Sequence, residues 1–143
     1  MICTFFGHRD APSNVEPVLQ SLLIDLIENR GATTFYVGNN GNFDLLAGKQ
    51  LELLKHKYPH IDYFVVVSSI SPKNNTFTHE NLLFPDILEN SPPKYAISKR
   101  NNWMLNQADY VVTYVKYISG GAYKIKKTAL NKKKTVFELS ELM

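Results

Sequence analysis

Short apolar runs alternate along this chain with segments in which apolar residues recur at helical spacing. The apolar runs suit strands, and they cover residues 2–6, 33–37, 61–67, 110–115 and 135–139. The helically spaced segments cover residues 15–27, 44–58, 94–107 and 121–131. The order β-α-β-α-β-loop-α-β-α-β predicts an α/β fold. We expect one three-layer domain over residues 1–143, with a mostly parallel five-stranded sheet covered by helices on both faces.

The segment from residue 68 to residue 93 interrupts this alternation. Asn, Ser, Pro and Thr dominate it, although residues 82–88 are apolar enough for a short helix or a tether. A loop of this length inside a compact domain is uncommon and is often functional.

The composition is that of a globular protein with one core, since 44% of the 143 residues are hydrophobic and 20% are charged. No run approaches the length of a transmembrane helix or resembles a signal peptide, so we expect a cytoplasmic protein without a membrane partner. The single cysteine, Cys3, cannot form an intrachain disulfide. The net charge is only +3, but lysines concentrate in the last quarter of the chain. They form either a solvated helix face or a rim that attracts anions.

Three segments follow predicted strands and lead into helices, namely residues 7–9, 38–44 and 119–123. A strand that runs through glycines into a helix leaves bare N–H groups at the positive end of the helix dipole, which favours phosphate. Because the carboxyl ends of parallel strands share one edge of a sheet, we expect the three segments to line one cleft. The predicted ligand-binding residues in them are Gly7, His8, Arg9, Gly38, Asn39, Asn40, Gly41, Asp44, Ser119, Gly120, Gly121, Ala122 and Tyr123.

Three side chains in these segments have candidate roles. Arg9 is suited to neutralise a phosphate, and His8 to hydrogen-bond a ligand or to titrate near neutral pH, although either could be a solvated loop residue. Asp44 lies near a predicted helix start, where it either caps the helix or contacts a ribose hydroxyl. No histidines, cysteines and carboxylates stand at metal-ligand spacing, so we predict neither a metal site nor a cofactor.

A further string consists of Arg100, Met104, Ala108 and Asp109, then an apolar strand, then Gly120 and Gly121. This string is similar to the signature of the SLOG superfamily, a Rossmann-like group that includes the LOG cytokinin-activating phosphoribohydrolases and the DprA proteins. Together with the glycine segments, the chain looks like a bacterial branch of that superfamily related to YpsA. The resemblance implies a Rossmann-like domain, a homodimer, and a ligand-contacting role for Arg100.

The last glycine motif departs from that of the LOG enzymes, which reads Pro-Gly-Gly-x-Gly-Thr-x-x-Glu. In those enzymes the glycines hold a phosphate and the glutamate assists cleavage of the N-glycosidic bond. Here Ser119 replaces the proline, Tyr123 and Lys124 replace the second Gly and the Thr, and Lys126 and Lys127 occupy the region of the glutamate. Lysines there would attract phosphate but would oppose the positive charge that develops during glycosidic cleavage.

The resulting hypothesis is a nucleotide-binding protein that senses or sequesters a nucleotide or an ADP-ribose-like ligand. The alternative is a nucleoside 5′-monophosphate N-glycosidase or a related nucleotide-processing enzyme, with Asp44 or Glu80 as the substitute carboxylate and Asp44 as the catalytic candidate. A third hypothesis is DNA binding by analogy with DprA. The modest net charge and the absence of a recognition helix argue against it, so we expect no nucleic-acid partner.

Overall fold

The computed structural model describes residues 1–69 and 81–143. The strands are β1 (Ile2–Gly7), β2 (Thr34–Val37), β3 (Asp62–Val66), β4 (Leu82–Leu83), β5 (Tyr110–Tyr114) and β6 (Thr135–Glu138). The helices are α1 (Val15–Asn29), α2 (Asn42–Lys57), α3 (Pro93–Gln107), α4 (Gly121–Asn131) and α5 (Leu139–Leu142), and a 3₁₀ turn covers Asp86–Leu88. Among the described residues, no helix has both the length and the apolar character needed to cross a membrane.

The strands form one sheet in the order β4-β3-β2-β1-β5-β6, and each pair of neighbours is parallel. The α/β class and the parallel sheet are therefore confirmed, but the prediction of five strands is wrong because the described residues form six. The additional strand, β4, pairs Leu82 with Val65 and Leu83 with Val66. Two residues are too few to produce a recognisable strand pattern, so the sequence alone does not distinguish β4 from a tether.

A hydrophobic core covers each face of the sheet. The core under α1, α2 and α5 includes Phe5 and Phe35, whose rings stack with centroids 6.3 Å apart. The core under α3 and α4 includes Phe6 and Met104. Burial on both faces explains why the central strands β1 and β5 are mostly apolar rather than alternating, with Thr4 and Thr113 as their buried polar residues.

The direction of the chain across the sheet changes between β1 and β5. The chain moves from β1 to β2 and β3 on one side, and later returns to β5 and β6 on the other side. The helices that follow β1 and β5 therefore cover opposite faces of the sheet, and this leaves a crevice at its carboxyl edge. In open α/β sheets this crevice is where ligands bind.

Candidate functional site

A cavity of about 350 Å³, here called the switch-point cavity, opens at the carboxyl edge of the sheet. Most of the ligand-binding residues predicted from the sequence line it: Gly7, His8, Arg9, Asn40, Gly41, Asp44, Arg100, Gly121 and Ala122. Gly38 and Asn39 line a second cavity beside it, whereas Ser119, Gly120 and Tyr123 line neither. The structure thus brings together residues from four separate segments of the chain.

Arg100 supplies a buried positive charge to this site. Only 2% of its surface is exposed, and its Nη1 donates to Asn39 Oδ1 at 2.9 Å and to the Val66 carbonyl at 3.4 Å. Burial lowers the pKa of Arg100, while the nearby Asp44 carboxylate acts in the opposite direction. Because arginine stays protonated in proteins, the cavity wall carries a permanent cation with Asp44 as a neighbouring countercharge.

Asp44 lines the cavity and holds the loop before α2, but it is not the N-cap, because Gly41 has that position and no side chain caps the helix. Its contact with a ribose hydroxyl stays a prediction. Asp44 Oδ2 accepts the Asn40 N–H at 2.9 Å, just before the first turn of α2. Burial raises the pKa of Asp44, and the Asn40 N–H and the charges of Arg100 and Arg9 oppose that rise. Gly38 permits the close approach, because a Cβ there would lie 2.8 Å from Asp44 Oδ2 and 3.3 Å from Arg100 Cζ.

The loops after β1 and β2 touch each other at the cavity. The Arg9 carbonyl accepts the Asn42 N–H at 2.9 Å, and a Cβ on Gly41 would lie 2.7 Å from Arg9 Cα. The Arg9 side chain is exposed. Asn40 Nδ2 is buried and has no hydrogen-bond partner among the described residues. A buried donor without an acceptor costs about 1–3 kcal/mol.

His8 holds the loop between β5 and α4. Its Nε2 accepts the Lys116 N–H at 2.8 Å and the Tyr117 N–H at 3.2 Å, and its ring centroid lies 4.4 Å from that of Tyr117. These two hydrogen bonds occupy Nε2, so His8 positions the loop after β5 and does not offer this nitrogen to a ligand.

The N-terminus of α4 reaches the switch-point cavity through Gly121 and Ala122. Gly120, directly before the helix, has a φ of 93°, which suits glycine. Lys126 is not among the residues that line the cavity, and its Nζ donates to Glu138 Oε1 at 2.8 Å. Of the two lysines in the region of the LOG glutamate, Lys126 is thus paired with a carboxylate, and this reduces its effect on the cavity.

Glu138 is an anchoring residue that the sequence analysis missed. Its side chain is 5% exposed and accepts hydrogen bonds from Thr113 Oγ1 at 2.7 Å, from the Val115 N–H at 3.0 Å and from the Ser140 N–H at 3.1 Å. It therefore ties the end of β5 to α5 and, through Lys126, to α4. The available signal was a charged residue inside the apolar run 135–139.

The second cavity, here called the α2 cavity, has a volume of about 200 Å³ and lies between α2 and strands β2 and β3. Tyr63 and Val65 line it from the sheet, and Leu45 and Gly48 line it from the helix. Asp44 belongs to the walls of both cavities. The sequence signal for this cavity is the isolated Gly48 inside a helical pattern.

In the part of the chain that the structure describes, no cluster of three or more His, Cys, Asp or Glu side chains could hold a metal ion. Glu80, the second carboxylate considered for catalysis, lies outside the described residues, as does much of the irregular segment 68–93.

Comparison with protein-family models gives no match, and comparison with curated proteins gives none either. Among solved structures, DNA processing protein A from Helicobacter pylori matches with a TM-score of 0.70 and 18% identity, over 96% of this chain and 64% of that chain. DNA processing protein A (DprA) from Streptococcus pneumoniae matches with a TM-score of 0.69 and 14% identity, over 95% of this chain and 49% of that chain.

The comparisons define a Rossmann-like fold of the DprA kind, which confirms the fold implied by the SLOG resemblance. At these identities the likeness is one of fold, and this chain spans about half to two thirds of the length of its two neighbours. The Helicobacter pylori structure is described for its single-stranded DNA binding mode. The prediction against a nucleic-acid partner is therefore wrong in its reasoning, because a modest net charge and the lack of a recognition helix do not exclude such binding for this fold.

Proposed function

We propose that this chain binds the phosphate group of a nucleotide or nucleotide derivative in the switch-point cavity, and acts as a sensor or sequestering protein. The observation that carries the proposal is the convergence of Arg9, Arg100 and the start of α4 on one cavity. Arginine and a helix N-terminus are the groups that proteins commonly present to phosphate.

The charges around the cavity support a ligand with an anionic end and a hydroxylated part. Arg9 and Arg100 supply two positive charges, and Asp44, which interacts electrostatically with both, supplies one negative charge. A carboxylate repels phosphate but accepts hydrogen bonds from hydroxyl groups. Asp44 is therefore suited to a ribose hydroxyl, as in AMP or an ADP-ribose-like ligand. Affiliation with the YpsA-related branch and a homodimer are parts of this proposal that depend on the sequence motifs.

Replacing Arg9 with alanine is expected to weaken the binding of AMP by about 10- to 100-fold, because a hydrogen bond to a charged group contributes about 1.5–3 kcal/mol. Isothermal titration calorimetry measures the loss. Arg30→Ala is the matched control, since Arg30 is exposed, pairs with Asp25 at 3.1 Å and is absent from the cavity wall. Equal affinities for the wild type and Arg9→Ala would contradict the proposed phosphate contact.

Mass spectrometry of the ligand after each titration separates binding from catalysis. Intact AMP supports the sensor, whereas release of free adenine supports the N-glycosidase alternative. In the second case Asp44→Asn is expected to abolish release, because the carboxylate in the cavity wall is the group available to stabilise an oxocarbenium-like state.

A second candidate function is binding of single-stranded DNA, which is favoured by the fold match with a neighbour described for that activity. Binding of a fluorescent oligothymidylate is expected to weaken as salt rises, with a slope of about −0.7 per phosphate contacted. Arg9→Ala should reduce the magnitude of that slope by about 0.7, the contribution of one phosphate contact. AMP should compete with the oligonucleotide if both ligands share the cavity. An affinity that does not change with salt would argue against this function.

A further inference from the structure

The charges of this chain are divided unevenly between its segments. Residues 91–134, which contain α3, β5 and α4, carry ten lysine and arginine residues and one acidic residue, Asp109. The rest of the chain carries six lysine and arginine residues and twelve acidic ones. The small net charge of +3 is therefore the sum of a strongly basic segment and an acidic remainder.

Six of the ten basic residues belong to α3 and α4, which pack against each other and cover the same side of the sheet. Neither helix contains an aspartate or a glutamate. Beyond the end of α4, Lys132 Nζ donates to Asn106 Oδ1 of α3 at 2.6 Å, so the two helices are joined at that end as well. Their outward side is therefore one continuous surface. This surface, here called the lysine face, exposes Lys94, Tyr95, Lys99, Lys124 and Lys127.

The lysines of this face have no carboxylate to neutralise them. Lys99, Lys124 and Lys127 form no ion pair with any residue that the structure describes. On the opposite side of the sheet, three cations are paired with carboxylates: Arg30 with Asp25, Lys49 with Glu16 and Lys55 with Asp62. Unpaired like charges on one surface repel one another, so the complement of the lysine face is a polyanion that neutralises several of them at once.

Exposed aromatic rings accompany these charges. Among the Phe, Trp and Tyr residues that the structure describes, only Tyr95 and Tyr117 expose about half of their surface, at 49% and 53%. Both belong to the basic segment, and Tyr95 lies four residues before Lys99, on the same side of α3. Basic side chains that hold phosphates, next to rings on which unpaired bases stack, are the arrangement that binds single-stranded nucleic acid. A duplex keeps its bases stacked on one another and offers no such contact.

We propose that the lysine face is a surface on which this chain binds single-stranded DNA. Phosphates contact Lys99, Lys124 and Lys127, and a base stacks on Tyr95. This inference rests on the second candidate function and deepens it, since it extends the contact surface from Arg9 at the switch-point cavity to the outward side of α3 and α4. The lysine face is separate from the nucleotide site, because none of its residues lines that cavity.

The test removes three charges from the lysine face at once. Fluorescence anisotropy measures the binding of a labelled oligothymidylate over a series of salt concentrations. The triple variant Lys99→Gln, Lys124→Gln, Lys127→Gln is expected to bind about tenfold more weakly, or worse, at low salt. Its salt slope should fall in magnitude by about 2, because each phosphate contact on a single strand contributes about 0.7.

A matched control removes the same number of positive charges from the opposite side of the sheet. Arg30→Gln, Lys49→Gln and Lys57→Gln together change the net charge equally, and the salt slope of this variant is expected to equal that of the wild type. Equal losses in the two triple variants would mean that net charge alone attracts DNA, and would overturn the proposal. Unchanged binding by the lysine-face variant, with a melting temperature that shows it to be folded, would overturn it too.

Tyr95→Ala tests the stacking contact. It is expected to weaken oligothymidylate binding by about fivefold or more, since stacking on one base contributes about that much. An abasic oligomer of the same length should bind the wild type and Tyr95→Ala equally, and Tyr95→Phe, which keeps the ring, should retain the affinity of the wild type.

The remaining outcomes separate this surface from its alternatives. Binding to vesicles that contain phosphatidylserine but not to DNA would overturn the proposal in favour of a membrane surface, and equal binding of a duplex and a single strand would overturn the stacking contact. A loss of DNA binding in Arg9→Ala but not in the lysine-face variant would overturn the lysine face alone. Failure of the wild type to bind oligothymidylate at low salt would overturn the second candidate function, and the lysine face with it.

Discussion

Replacing Gly7 with alanine is expected to lower the free energy of unfolding by about 3 kcal/mol, the upper part of the usual range for an overpacked core. A Cβ on Gly7 would lie 2.3 Å from both Cγ and Cδ2 of Phe43. Phe43 is 1% exposed, and its ring stacks on Tyr114 with centroids 6.3 Å apart. A close-packed interior leaves this ring little room to move. Urea denaturation measures the loss.

Gly121→Ala is the matched control for the effect of adding a methyl group. A Cβ on Gly121 meets no atom within 4 Å, so the free energy of unfolding is expected to change by less than about 0.5 kcal/mol. A double-mutant cycle gives a further check, because Phe43→Leu should relieve the clash and make Gly7→Ala less costly. Equal stability of Gly7→Ala and the wild type would show that the contact between β1 and α2 is not tight.

The contact between Gly7 and Phe43 also connects stability with the site. Phe43 belongs to the first turn of α2, next to Asp44, and Gly41 at the start of this helix approaches Arg9 closely. A displaced Phe43 would therefore move the carboxylate and the loop that form the cavity wall. The glycines of the first two segments are therefore needed for close packing between the loops and α2. Direct contact with a ligand is not their only role.

The sequence predicted the strands and helices that are long enough to produce a pattern. The central strands are covered on both faces and are therefore mostly apolar, and the apolar residues of the helices recur at a period of 3.6 residues. The convergence of residues 7–9, 40–41, 44 and 121–122 on one cavity followed from one rule, that parallel strands end at a common edge. The very short β4 has no such pattern, so it was missed.

Side-chain partners could not be predicted in the same way, because they depend on which residues the fold brings together across long separations. Arg100 donates to Asn39 and to the carbonyl of Val66, which are far from it in sequence. His8 was expected to face a ligand, but its Nε2 holds the loop at Lys116 and Tyr117. Residues predicted to contact a ligand thus also hold the loops of the cavity in place. A substitution at Arg100 or His8 therefore tests the structural role and the proposed binding role together.

The ion pair between Lys126 and Glu138 gives the second large expected effect. Glu138→Gln should lower the free energy of unfolding by about 3 kcal/mol at neutral pH, because it leaves the ammonium of Lys126 without its countercharge. The Lys126 side chain is only 19% exposed, so water replaces that countercharge poorly. The hydrogen bonds that Glu138 accepts from Thr113 and Val115 would weaken as well. Lys126→Met combined with Glu138→Gln removes both charges and is the control. It should recover part of the loss.

The same pair predicts how the loss depends on pH. Burial alone would raise the pKa of Glu138, but the Lys126 ammonium and the N–H and O–H donors around the carboxylate outweigh it and hold the pKa below the ordinary value of 4.5. A carboxyl group whose pKa is lower in the folded chain stabilises that chain above its ordinary pKa, and this stabilisation is lost as the pH falls through the folded value. The stability difference between the wild type and Glu138→Gln should therefore be constant near neutral pH and shrink below about pH 4.5. A difference that stays constant down to strongly acidic pH would mean that the charge of Glu138 does not hold β5, α4 and α5 together.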